Sequence, residues 1–273
     1  MVDTTLAAIL RRDRVIVTAT LIILTVLAWG YVLWLVADMD MGGMDMSGFR
    51  MIPAGIGPMK PATAPWNAIE FAFVFAMWAV MMIGMMTPSA TPMILLYARV
   101  GGQAANTSKA LAATWWFAAG YLFVWIAFAF GATFAQWVLE RQSLLTPTMA
   151  GAGGVFGGLI MIAAGVYQWA PLKDACLRQC QAPWVFIQQH GGFRSDRLGS
   201  LVLGARHGMY CVGCCWALMA LLFVGGVMNV LWIAAITIFV LAEKIMPVGR
   251  AISRIAGLAF IAWGVWLLTS ALL

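Results

Sequence analysis

Charge is what this chain has least of. Asp, Glu, Lys and Arg make up 10% of its 273 residues, while 63% are hydrophobic. A soluble domain must face water with polar surface, so that balance excludes one. Histidine is scarcer still, with only His190 and His207. Neither a bis-histidine haem nor a multi-histidine dicopper centre can be built from those two within this chain alone. There is no glycine loop of the phosphate-binding kind and no nucleophile elbow. Hydrolytic or nucleotide-driven chemistry is therefore not expected, which weighs against an enzyme, and no haem or nucleotide cofactor is expected.

What is present is long apolar runs, each of roughly 20 residues and so long enough to cross a bilayer as a helix. They predict an all-α, polytopic helical membrane protein, folded as a single integral membrane domain over residues 1–273 and surrounded by lipid. The expected spans are Val15–Ala37, Ala68–Met86, Leu111–Leu139, Ala150–Ala170, Gly208–Val227, Val230–Ala242 and Ile252–Leu272. That makes about seven transmembrane helices, or six if the turn at Gly225, Gly226 and Asn229 does not separate the fifth from the sixth. Gly151, Gly153, Gly154, Gly157 and Gly158 give the fourth span a small-residue face suited to close packing or to a partner helix in an oligomer.

Lysine and arginine set the orientation. With the amino terminus in the cytoplasm, thirteen of the sixteen Lys and Arg fall inside, and only Arg50, Lys60 and Arg141 fall outside. The net charge of +6 is then a topology signal and calls for no nucleic-acid partner. Arg11, Arg12 and Arg14 run right up to the first span, which reads as an uncleaved anchor. The expected location is the bacterial inner membrane. Two long loops follow, residues 38–67 outside and residues 171–200 inside.

The outer loop opens Asp38-Met39-Asp40-Met41-Gly42-Gly43-Met44-Asp45-Met46. Thioethers bind Cu(I) without deprotonation, and the interleaved carboxylates attract cations. The alternative is a flexible loop whose methionines dip into the membrane interface. On the second span Glu70, Met77, Met81 and Met85 fall within about 80° on one helical face. Met82 and Met86 line the other face. An ionisable residue at membrane depth points to function, whereas methionine is also an ordinary packing residue. Thr87-Pro88-Ser89 and Thr91-Pro92 are expected to break this helix.

Cysteine is the last and most telling pattern. Cys176 and Cys180 stand at i, i+4, and His207, Cys211 and Cys214 fall within about 60° on one helical face, with Cys215 at its edge. By the charge rule both groups lie at the cytoplasmic surface, where a reducing environment keeps thiols free. No pair of C-x-x-C knuckles occurs, so a zinc finger is not indicated. Soft thiolate and thioether ligands select Cu(I) over harder cations. Small buried cysteines also occur as plain core residues.

The stretch Trp78–Met93, with Met81-Met82, Met85-Met86 and Thr87-Pro88-Ser89, resembles a bacterial family of metal-binding integral membrane proteins, DUF2182. The resemblance continues through Tyr167–Cys180, Arg206–Trp216, Gly225–Asn229 and Glu243-Lys244, and covers about residues 68–247. That family includes copper chaperones associated with tyrosinase maturation. The resemblance implies a protein that binds copper and presents or moves it to an extracytoplasmic cuproenzyme. Two other readings stand beside it. One is an accessory subunit of a larger membrane redox complex. The other is a thiol-based membrane oxidoreductase using Cys176/Cys180 and Cys211/Cys214.

Overall fold

The computed structural model describes residues 2–39, 65–104, 107–146, 149–151 and 153–272; side chains at 2–14, 38–39, 103–104 and 107–108 are outside that description. Ten helices follow in chain order: α1 Val2–Met39, α2 Ala68–Ala104, α3 Thr107–Arg141, α4 Gly154–Tyr167, α5 Pro171–Gln181, α6 Pro183–Gln189, α7 Arg197–Ala220, α8 Leu222–Gly225, α9 Val230–Ile245 and α10 Gly249–Leu272. No strand occurs among the described residues beyond an isolated bridge between Leu145 and Gly151. Five of the described helical segments are long and apolar enough to cross a membrane. Six are, if α4 and α5, bent by 65° at their junction, count as one broken span. The segment expected as a sixth span is α9, 16 residues long.

The fold departs from expectation at the prolines. Helix α2 runs unbroken through Pro88 and Pro92 for 37 residues, about 55 Å at 1.5 Å per residue. Each proline removes one backbone donor, yet neighbouring hydroxyls engage the carbonyls of this stretch: Thr87 Oγ1 donates to Ile83 O at 2.6 Å, Ser89 Oγ to Met86 O at 3.0 Å and Thr91 Oγ1 to Thr87 O at 2.9 Å. Met85, Met86, Ala90, Met93 and Ile94 are buried along this stretch, and tertiary packing of this kind supplies most of a helix's stability. At 55 Å, α2 outruns a hydrocarbon core of about 30 Å.

A second departure lies in residues 171–200. In place of a long loop, α5 and α6 lie here, and α5 packs back along α7. Pro171 opens α5 at a position where its missing N–H costs nothing. α5 buries Lys173, Cys176 and Leu177. Amphipathic character, rather than a continuous apolar run, marks such a short helix.

Glycines bring two helix pairs into backbone contact. A Cβ on Gly204 would lie 1.9 Å from Phe117 O, and one on Gly120 2.0 Å from Leu201 O. Only glycine permits α3 and α7 to approach so closely. On α4, Gly158 and Gly165 face Gly264 O and Gly257 O of α10, at 2.8 and 2.7 Å from where a Cβ would stand. Gly154, Gly157 and Gly158 of the small-residue face thus pack closely against α10 of the same chain.

One buried polar network ties the remaining elements together. Lys173 Nζ donates to both carboxylate oxygens of Glu243 at 2.8 and 2.9 Å, and also to Gln168 Oε1. Ser253 Oγ donates to Glu243 Oε1 at 2.5 Å, and Gln181 Nε2 donates to Glu243 O at 2.7 Å. Both ionic side chains are 1% exposed. The network joins the end of α4, α5, α9 and α10, and so fixes the position of Lys244, the next residue on α9.

Candidate metal centre

Cys211 sits midway along the apolar segment Arg197–Gly225. The close approach of α3 sets Tyr121 Oη 3.1 Å from Cys211 Sγ, and the same hydroxyl donates to Met86 O of α2 at 3.2 Å. Lys244 arrives from α9, its Nζ donating to Cys211 Sγ at 2.8 Å and to Ser89 Oγ at 3.0 Å. α3 and α9 thus meet α7 at this sulfur, and α2 braces both contacts through Met86 O and Ser89 Oγ.

The other thiols gather around it. Cys214 and Cys215, one turn on, donate to Cys211 O at 3.1 and 2.9 Å, as hydroxyls and thiols often do to the preceding turn. The thiols of Cys180, Cys214 and Cys215 also lie near enough to that of Cys211 to interact electrostatically with it. Cys180 reaches it from α5 because that helix folds back on α7. Cys176, one turn earlier on α5, turns to Gly213, where a Cβ would lie 2.7 Å from its Sγ. All five cysteines are free, and all but Cys180 are buried.

His207 stands one turn before Cys211 and is 3% exposed. Its ring lies among Phe186, Tyr121 and Phe117, with centroids 5.1, 5.7 and 6.1 Å away. Its Nδ1 is buried with no hydrogen-bond partner. A buried polar atom left unpaired costs about 1–3 kcal/mol, so this nitrogen is held in place at a cost to folding. His190 ends α6 with Nδ1 2.8 Å from Phe186 O.

The hydrogen bonds of Cys211, Cys214 and Cys215 go to a backbone carbonyl, a tyrosine hydroxyl and a lysine. Among the described residues no group of three or more His, Cys, Asp or Glu side chains has the arrangement of a formed metal site. Cys180, Cys211, Cys214 and Cys215 are brought together, with His207 a turn away and Cys176 displaced onto Gly213.

The remaining candidates lie elsewhere. Met77, Met81 and Met85 are buried in the core, but so are Met82 and Met86 of the opposite face. α2 is surrounded on both sides, and burial does not single out a stripe. Glu70, also buried, forms a capping box with Asn67: its backbone N–H donates to Asn67 Oδ1 at 2.8 Å, and its Oε2 accepts from Asn67 N at 3.1 Å. Residues 40–64 lie outside the described residues, and so do the side chains of Asp38 and Met39. Asp40, Met41, Met44, Asp45 and Met46 therefore have no structural account. Lys244, Tyr121 and Ser89 were not anticipated as members of the centre. The available signal was Lys244 itself, an ionisable residue closing an apolar helix.

Together these features define an all-helical protein with apolar, membrane-length helices and four buried free cysteines on α5 and α7. A family model described as PpoB2, copper chaperone, matches residues 75–267, and the chain belongs to that family. The match takes in every cysteine, His207 and Lys244, and leaves out Glu70 and the Asp/Met segment. No curated protein and no solved structure compared with the chain matches it.

Proposed function

We propose that this chain is a membrane-embedded copper chaperone that binds Cu(I) at the Cys211 thiol cluster and presents it to an extracytoplasmic cuproenzyme. The observation that carries this reading is the convergence of Cys180, Cys214 and Cys215 on Cys211, beside the unpaired Nδ1 of His207. Thiolates and a neutral imidazole are soft and borderline ligands of the kind Cu(I) prefers. Two sulfurs suffice for a linear Cu(I) site, so no preformed group of three or four ligands is required. Release of His207 Nδ1 from its unpaired state would add to the binding free energy. Membership in a copper-chaperone family supports the same cargo.

In this reading the amino terminus is cytoplasmic and the thiols are loaded from the reducing side, where they stay free. The methionines of α2 and the Asp/Met segment 38–46 supply thioethers and carboxylates toward the outer side, with Glu70 near that end. The chain serves as a carrier, with no catalytic residue of its own.

The test is metal content after anaerobic purification in detergent. Wild type loaded with Cu(I) retains copper near one ion per chain, and the Cys180/Cys211/Cys214/Cys215→Ser variant retains none. Equal copper in the two proteins would move the site away from these thiols.

A further inference from the structure

Lys244 is a buried cation without a carboxylate. It is 7% exposed, and the adjacent acid, Glu243, is committed to Lys173 and Ser253 on the other side of α9. Among the described residues no Asp or Glu pairs with Lys244. The groups that face it are Cys211 Sγ and Ser89 Oγ in direct contact, with Cys214, Cys215 and Tyr121 close enough to interact electrostatically. An ammonium withdrawn from water is tolerated only beside a compensating anion. Among the described residues, the acidic group in direct contact with Nζ is Cys211 Sγ, at 2.8 Å.

We propose that Lys244 is the fixed counter-ion of the metal site and sets its preference for a monovalent ion. The inference rests on the copper-binding reading above and adds the residue that selects the valence. Two thiolates carry two negative charges. One Cu(I) and one ammonium bring two positive charges, so the loaded site is neutral within the apolar bundle. Loading forms two copper–sulfur bonds, sends the second thiol's proton to water and transfers no electron. A divalent ion on the same two sulfurs leaves one positive charge uncompensated, and neutrality then demands a third deprotonated thiol. The Lys173–Glu243 pair contributes by keeping Glu243 occupied. Were that carboxylate free to turn toward Lys244, the ammonium would be neutralised and its bias lost.

The experiment is a competition between Ag(I), an air-stable monovalent probe of similar softness, and Cd(II), a thiophilic divalent one. Full-length protein in detergent is equilibrated with both, and bound metals are counted by mass spectrometry. In wild type Ag(I) dominates. In K244M, which keeps the length and apolar stem but not the charge, the Ag(I)-to-Cd(II) ratio falls by on the order of tenfold or more. K244R keeps the charge and the wild-type ratio. Should K244M aggregate, K244Q carries the same expectation as a neutral, polar variant. An unchanged ratio in the neutral variant, with binding still abolished by C211S, overturns the assignment of Lys244 while leaving the thiol site standing. Failure of wild type to bind either ion through Cys211 overturns the copper-binding reading, and this inference with it.

Discussion

At the scale of single residues, Cys211 and His207 do different work and are separable by mutation. Cys211 Sγ is the atom on which Tyr121, Lys244 and the neighbouring thiols meet. C211S replaces a soft donor with a hard one at nearly the same volume. The expected result is loss of Cu(I) retention together with a lower melting temperature, because Lys244 loses the partner that balances its buried charge; metal analysis and a melting curve on the same sample check both. His207 Nδ1 has no partner to lose. H207L therefore removes an unsatisfied atom, and the melting temperature stays within a few degrees. Cu(I) affinity measured against a competing chelator should fall by roughly tenfold or more, since a ligand nitrogen is gone. A large drop in stability with unchanged affinity would make His207 a packing residue instead.

That His207, Cys211, Cys214 and Cys215 share a face of one helix was legible in the sequence, because helical spacing puts i, i+3 and i+4 together. Lys244 was not, because its contact with Cys211 spans 33 positions and its charge read simply as an inside lysine. Glu70, read as a functional charge at membrane depth, also forms a capping box with Asn67. The signature for that, Asn three residues before Glu at a helix start, was present in the sequence.

At the scale of elements, the centre depends on how closely helices approach. On Gly204 even a methyl group would collide with Phe117 O, so G204A must push α3 away from α7. Tyr121 is then withdrawn from Cys211, and both thermal stability and copper retention fall. G131A is the control: nothing lies within 4 Å of a Cβ at Gly131. Alanine there is neutral, or stabilising by about 0.5–1 kcal/mol. The second dependence is on the buried ion pair. K173M leaves the Glu243 carboxylate buried and unpaired, and destabilises by about 3–5 kcal/mol. The K173M/E243M double variant should recover most of that loss, and equilibrium unfolding of the three variants checks it. A double variant no better than the single one would show that the pair is not what holds α5 against α9.

Helix α2 illustrates why element boundaries were harder to read than element types. Two prolines announce a break, and only the structure shows the hydroxyls of Thr87, Ser89 and Thr91 engaging neighbouring carbonyls. The α5–α6 segment was hidden for a related reason. Its helices are too short and too polar to register as spans, and their partner surface on α7 lies far off in sequence.

At the scale of the whole molecule, the apolar runs were legible because a bilayer demands continuous hydrophobicity. Which helix packs on which was not. The glycine face of α4 suited either close packing or a partner helix, and α10 of the same chain packs against it. The central claim, that copper sits on the clustered thiols inside the helical bundle, is tested most directly by X-ray absorption at the copper edge. The sample is wild-type protein loaded anaerobically with one equivalent of Cu(I). The account expects a Cu(I) edge with a first shell dominated by two or more sulfurs, at most one nitrogen beside them, and loss of that shell in C211S. A shell of oxygen or nitrogen donors, or a sulfur shell unaltered in C211S, would contradict it.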